Sequence, residues 1–129
     1  MKKTLLFILT VSIILIVLPK CKASFDVQPR ELYLTMDNEF INGNTSESIE
    51  VINAGDSEIN ISWYLDDPSP DLIRPNRTTI PNLSWIDLQP KWQSVPGKSS
   101  VEFFIYTNIP EDEKYMGKHW EVWVTFKEE

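Results

Sequence analysis

Histidine and cysteine are the side chains best suited to act as a general base and as a nucleophile, and the chain has one of each. His119 is the single histidine and Cys21 the single cysteine among 129 residues. A catalytic serine or cysteine needs a base and an orienting partner, and no serine lies in a Gly-x-Ser-x-Gly elbow. A zinc site needs about three or four ligands, which these two residues cannot supply. We therefore expect that the chain has no catalytic, cofactor-binding or metal-binding residues and that it is not an enzyme.

Carboxylates cluster in two segments that could attract a hard cation. The first contains Asp66, Asp67 and Asp71, and the second spans residues 111–113. Calcium prefers about six to eight oxygen ligands, and neither segment has the Asp-x-Asp-x-Asp-Gly spacing of an EF-hand loop. Both segments are interpreted as solvated acidic loops.

The sequence contains N-glycosylation sequons that lack proline in the middle position, at Asn44, Asn60, Asn76 and Asn82. Such sites accept N-linked glycans when a chain is exported by a host that glycosylates. Asn60 falls on the polar face of a predicted strand and the others fall in predicted loops, so all four are expected to be exposed. The alternative is chance occurrence in a chain rich in Asn and Ser.

Aromatic residues occupy strand positions that should meet solvent. Trp123 lies between two valines in strict alternation, and Tyr64, Phe104 and Tyr106 also fall on polar faces. An exposed aromatic patch is typical of a surface that binds a protein or a sugar. The alternative is cross-strand aromatic pairing that only stabilises the sheet. The candidate interaction surface therefore comprises Tyr64, Phe104, Tyr106 and Trp123.

The elements that would position these side chains follow a leader of 23 residues. Lys2 and Lys3 form a basic head, and residues 5–18 that follow carry no charge. Pro19 ends any helix, and a signal-peptidase cleavage site ends at Ala23. This is the three-part layout of a secretory signal. A helix of that apolar length spans about 21 Å, short of the roughly 30 Å hydrocarbon core. We expect residues 1–23 to form a cleaved signal helix, and residues 24–129 to form one extracytoplasmic domain.

Two other fates of the leader remain open: retention as a signal anchor, or acylation at Cys21, where Lys20 departs from the lipobox pattern. The leader contains four basic residues and no acidic one, so the net charge changes from −7 for the whole chain to −11 without it. Nucleic acid and anionic lipid repel so acidic a chain. We expect a protein partner at the cell envelope, no nucleic acid, and membrane contact only through an uncleaved N-terminal segment.

Short runs of alternating apolar and polar residues predict an all-β domain. The runs cover residues 31–36, 48–52, 58–65, 84–88, 99–107 and 119–126. Trp63 and Trp120 fall on apolar faces and are expected in the core. Residues 54–56 are expected to close a hairpin, and Pro96-Gly97 to form a β-turn. This pattern suggests an antiparallel β-sandwich of about six to seven strands.

Several motifs follow in a recognisable order: Val27-Gln-Pro29, Asn53-Ala-Gly55, Trp85-Ile-Asp-Leu-Gln-Pro90, Pro96-Gly97-Lys-Ser, and Asn108-Ile-Pro110 before Gly117-Lys-His-Trp120. This order resembles the exported immunoglobulin-like sandwiches, a class shared by fibronectin-III-like, PapD-like and major-sperm-protein-like domains. The resemblance covers about residues 25–126. Because the chain ends three residues after Phe126, we expect either that the final G strand is missing or that an N-terminal strand takes its place.

The resemblance implies a fold more than an activity, because its motifs are turn and core signals that many functions share. We expect a non-enzymatic cell-surface module for protein interaction or envelope structure. One alternative is a small carbohydrate- or ligand-binding domain that uses Trp123 and Tyr64. Another is a PapD-like periplasmic chaperone that completes the sheet of another protein.

Overall fold

The computed structural model describes residues 9–14, 25–36 and 40–129. The strands are β1 (Leu9–Ile14), β2 (Phe25–Gln28), β3 (Glu31–Met36), β4 (Gly43–Asn53), β5 (Ile59–Asp66), β6 (Thr78–Thr79), β7 (Ile86–Gln89), β8 (Trp92–Val95), β9 (Ser100–Thr107) and β10 (His119–Glu128). Two short 3₁₀ helices span Leu83–Trp85 and Glu113–Tyr115. The expected all-β class is confirmed.

The strands form two sheets. The larger sheet has the order β3-β1-β10-β5-β8, with β6 also pairing with β10, and the smaller has the order β2-β4-β9-β7. The pairs β1–β10 and β6–β10 are parallel, and the other pairs in both sheets are antiparallel. Strand β10 is the centre of the larger sheet, because β1 lies on one side of it and β5 and β6 lie on the other.

The inward residues of both sheets form one hydrophobic core, as the alternation of the strands predicts. Phe103 of the smaller sheet packs edge-on against Phe126 of the larger one, with ring centroids 5.3 Å apart. Trp120 lies 5.7 Å from the rings of both Trp85 and Tyr115. The Phe103–Phe126 contact joins the two layers, and Trp85 and Tyr115 pack on Trp120 from the two 3₁₀ helices, so the fold is compatible with a β-sandwich.

The two tryptophans expected in the core differ in burial. Trp120 is buried as predicted, whereas Trp63 is only partly buried and packs against the margin of the core. The indole Nε1 of Trp63 donates to the carbonyl of Pro90 at 2.9 Å, and Lys91 Nζ lies 4.3 Å from the ring centroid. Trp63 therefore joins the core to the loop that precedes β8.

The connection between β4 and β5 crosses from one sheet to the other, so the hairpin expected at residues 54–56 is wrong. Strand β4 pairs with β2 and β9, whereas β5 pairs with β10 and β8. Buried Asn53 stabilises the crossing, because Nδ2 donates to the carbonyls of Ser57 at 2.8 Å and Val95 at 3.0 Å. Its Oδ1 accepts from the backbone N–H of Gly55 at 2.9 Å. The buried amide is thus fully hydrogen-bonded.

The β-turn predicted at Pro96-Gly97 is confirmed, since the backbone N–H of Ser99 donates to the carbonyl of Pro96 at 3.2 Å. This turn packs directly against the β4–β5 crossing. A Cβ atom on Gly97 would overlap the carbonyl oxygen of Asp56. Position 97 therefore needs glycine because two backbone segments approach closely there.

Part of the predicted leader lies inside the larger sheet. Leu9–Ile14 forms β1, and the rest of residues 1–23 lies outside the described residues. The expected signal helix is therefore not confirmed. Strand β1 lies between β10 and β3 in this sheet. Within the described ranges, no helix is both long and apolar enough to cross a bilayer.

Candidate interaction surface

The outward residues of β8, β5 and β10 form one continuous face of the larger sheet. The register places Trp92 opposite Ser62 and Tyr64 opposite Thr125. Trp123 occupies the next outward position on β10. Diagonal neighbours on adjacent strands lie about 7–8 Å apart, within reach of aromatic side chains. Trp92, Tyr64 and Trp123 thus share one face, which we call the aromatic face.

These three aromatic side chains differ in exposure. Trp92 is 60% exposed and Tyr64 is 47% exposed, whereas Trp123 is half-buried. Isolated surface hydrophobics are common, but a tryptophan and a tyrosine on neighbouring strands form a larger apolar area. The predicted outward position of Tyr64 and Trp123 is confirmed by the register of β5 and β10.

The sequence pattern does not indicate Trp92 as a surface residue, because β8 shows no clear hydrophobic alternation. Its inward positions are held by Gln93 and Val95, and only the valine is apolar. The amide of Gln93 donates to the carbonyl of Glu102 at 2.6 Å, which makes a polar residue acceptable at that position. The available signal was the four-residue interval between Pro90-Lys91 and Pro96-Gly97, which is long enough for a short edge strand.

Trp123 is tied to a carboxylate that is fully buried. Its indole Nε1 donates to Oε2 of Glu121 at 3.1 Å. Oε1 of Glu121 accepts weakly from the backbone N–H of Arg74 at 3.5 Å. Glu121 lies on the outer face of β10 yet is 0% exposed, because the connection between β5 and β6 covers it. Trp123 therefore has a structural role as well as a surface position.

The covering segment, residues 67–77, reaches across the sheet to β3, and we call it the strap. The guanidinium of Arg74 pairs with Glu31 and donates to the hydroxyl of Tyr33 at 3.1 Å. The Tyr33 hydroxyl in turn donates to Glu31 at 2.9 Å. These hydrogen bonds, Tyr33 first and Arg74 next, lower the pKa of Glu31. The strap thus contacts β3 through Arg74 and β10 through Glu121.

The other two predicted interaction residues lie elsewhere. Phe104 and Tyr106 point outward from β9, which belongs to the smaller sheet. Phe104 is exposed and pairs in register with Ser48 and Gln89, whereas Tyr106 is half-buried. The four predicted residues are therefore divided between the two opposite outer faces of the fold.

All four sequon asparagines are exposed, as expected. Asn44 lies in β4 rather than in a loop, and Asn76 has a positive φ of 65° in the strap. Asn60 lies on the same outer face as Trp92, and its Oδ1 accepts from the Ser94 hydroxyl at 2.7 Å. Asn82 caps a 3₁₀ helix by accepting from the backbone N–H of Ser84 at 2.9 Å.

The titratable side chains do not assemble into a reactive cluster in the described part of the chain. His119 is exposed at the start of β10. No group of three or more His, Cys, Asp or Glu in the described ranges is placed to hold a metal ion. In the acidic loop, partial burial, with a smaller effect from Asp66, raises the pKa of Asp67.

Comparison with known proteins adds no family to these observations. No protein-family model matches this chain, and no curated protein or solved structure matches it.

Proposed function

We propose that this protein is a non-enzymatic, exported immunoglobulin-like module that binds a protein partner at the cell envelope through the aromatic face. The observation that carries the proposal is Trp92, which is 60% exposed on the same face as Tyr64. Tryptophan and tyrosine are enriched among the residues that dominate binding energy in protein interfaces. A partner that covers these rings would remove a large apolar area from water.

The immunoglobulin-like assignment is supported by how the chain alternates between the sheets. Strands β2 and β3 are consecutive but belong to different sheets, and so do β4 and β5. The larger layer is mixed, since β1 and β6 run parallel to β10, and the smaller one is antiparallel. Crossings between two such packed, mainly antiparallel layers are typical of Greek-key sandwiches. The observed order therefore fits the resemblance of the motifs, including the Asn53-Ala-Gly55 segment at one crossing.

Export is supported by the three-part layout of residues 1–23 and by the charge of the remaining chain. Without its leader the chain carries a net charge of −11. A strongly negative surface keeps a protein dispersed and disfavours contact with anionic lipid headgroups. We therefore place the domain in an extracytoplasmic compartment, as a secreted, periplasmic or cell-surface protein, with a protein rather than a lipid covering the aromatic face.

A carbohydrate partner is the second candidate, and the surroundings of Trp92 favour it specifically. The neighbouring outward positions carry the exposed residues Asn60 and Ser94, whose amide and hydroxyl groups could hydrogen-bond sugar hydroxyls beside an aromatic ring. A glycan attached at Asn60 itself would occupy the same area, so glycosylation there and binding of any partner would exclude each other.

A glycan array and an envelope-protein capture, both run with the exported protein, separate the two candidates. Trp92→Ala removes the most exposed ring of the aromatic face, and Phe104→Ala is the matched control on the opposite sheet. We expect no glycan binding, and capture of an envelope protein that Trp92→Ala abolishes and Phe104→Ala preserves. Glycan binding that depends on Trp92 would replace the protein partner with a sugar. Capture that survives Trp92→Ala, together with no glycan binding that depends on Trp92, would contradict both candidates.

A further inference from the structure

We propose that β3 and β10 form the two edges of a strand-acceptor slot, filled in the exported protein by a β-strand of a second protein. The slot is the place that β1 occupies between these two strands. The slot is a different part of the fold from the aromatic face. It shares one premise with the proposed function, which is that residues 1–23 are removed on export.

The register defines the slot. Residues 9–14 pair antiparallel with residues 31–36 of β3, and residues 10–14 pair parallel with residues 119–123 of β10. Within the described residues β3 has no other neighbour in its sheet, so β1 is what joins β3 to the larger sheet. Cleavage after Ala23 would separate β1 from the domain and leave both edges of the slot without hydrogen-bonding partners.

An empty slot would be costly because the edges belong to the core. Leu34 and Met36 of β3 and Trp120 and Val122 of β10 are buried. Two open edges expose rows of backbone N–H and C=O groups that readily pair with another strand. Addition of an extended segment at such an edge is an established mode of protein recognition.

The register also specifies the chemistry of the occupant. The positions opposite Leu32, Leu34 and Met36 are held by Ile13, Val11 and Leu9, and the intervening ones by Ser12 and Thr10. The partner strand therefore carries apolar residues at every second position over about five residues, with small polar residues between them, and runs parallel to β10.

The strap explains how the edges stay aligned. It contacts Glu31 and Tyr33 on β3 and Glu121 on β10, and the register places Tyr33 and Glu121 on either side of position 12. These contacts join β3 to β10 through groups outside β1.

The test uses the full chain with a specific protease site inserted between Ala23 and Ser24. After cutting, a labelled peptide with the sequence of residues 9–14, flanked by lysines for solubility, is added as the probe. We expect the probe to exchange into the cut protein. A Val11→Asp probe should bind at least about tenfold more weakly, because it sets a carboxylate opposite the buried Leu34. A Thr10→Asp probe, altered opposite the exposed Thr35, should bind within about threefold.

A measurement on the uncut chain tests the slot even if the cut protein does not fold. Val11→Asp in the full chain should accelerate amide hydrogen exchange at residues 31–36 and 119–123 at least about tenfold more than Thr10→Asp does. Equal exchange in the two variants, or equal binding of the two altered probes, would overturn the slot. Trp92→Ala should leave probe exchange unchanged, so failure of the aromatic face and failure of the slot are distinguishable.

Discussion

The indole Nε1 of Trp123 donates to Oε2 of Glu121, 3.1 Å away and two residues earlier on the outer face of β10. Because Glu121 is fully buried, water does not compete for this bond. The other oxygen of Glu121 accepts from the strap at Arg74. Trp123 therefore links the aromatic face to the segment that crosses β1.

Removing the indole donor should cost stability. Trp123→Phe keeps most of the ring but leaves Glu121 without its Nε1 donor, so we expect a loss of about 1–3 kcal/mol in the free energy of unfolding. Trp92→Phe is the matched control on the exposed part of the same face and should change it by less than about 0.5 kcal/mol. Urea unfolding measures both. Equal values for the two variants would show that the bond to Glu121 contributes nothing.

The contact between Gly97 and the β4–β5 crossing should tolerate no side chain. Gly97→Ala places a Cβ on the backbone carbonyl of Asp56, and we expect a loss of about 3 kcal/mol because neither backbone segment can move freely. Gly117→Ala is the comparison, since Gly117 has open space but a φ of 72°. That variant should cost about 1–2 kcal/mol. Thermal unfolding showing the reverse order would refute the close approach.

The strap should make stability depend on pH through Glu31. Its folded-state pKa is lowered by the hydrogen bond from Tyr33 and by Arg74. A lowered carboxylate pKa stabilises the fold above the unfolded-state value of about 4.3, and that contribution is lost as the pH falls through the folded value. The melting temperature of the wild type should exceed that of Glu31→Gln at pH 7, and the two should converge near pH 2. A difference that is the same at both pH values would contradict this.

The leader should be cleaved and the exported protein should begin near Ser24. The basis is the short apolar segment, the Pro19 break and the site ending at Ala23. Intact-mass analysis of the exported protein measures this directly. A species that retains Met1 would indicate a signal anchor in which β1 stays in its own sheet. A species beginning at an acylated Cys21 would indicate a lipoprotein.

Hydrophobic alternation predicted the strands that present one apolar face. Strands β5, β9 and β10 lie within about two residues of the predicted runs, because each has apolar residues at every second position. Strand β8 escaped prediction because Gln93 takes an inward position. Strand β1 lies in a continuous apolar run, and such a run fits a helix as well as a buried strand, so its period cannot distinguish them.

The candidate surface was predictable in part for the same reason. Alternation placed Tyr64 and Trp123 on outward positions, but only strand pairing shows that Phe104 and Tyr106 belong to the opposite sheet. The burial of Glu121 could not be predicted, because Arg74 reaches it through a proline-containing connection that has no periodic pattern. The apolar neighbours of Glu121 on β10 do not indicate that the strap covers this side chain.

The most direct test of the proposed function is site-specific photo-crosslinking in the intact cell envelope. A photoreactive phenylalanine derivative, which keeps an aromatic ring at the position, replaces Trp92 in one variant and Phe104, on the opposite outer face, in a second. We expect the Trp92 variant to form a discrete adduct with one envelope protein, and the Phe104 variant not to form this adduct. The same adduct from both positions, or an adduct from Phe104 alone, would contradict binding through the aromatic face.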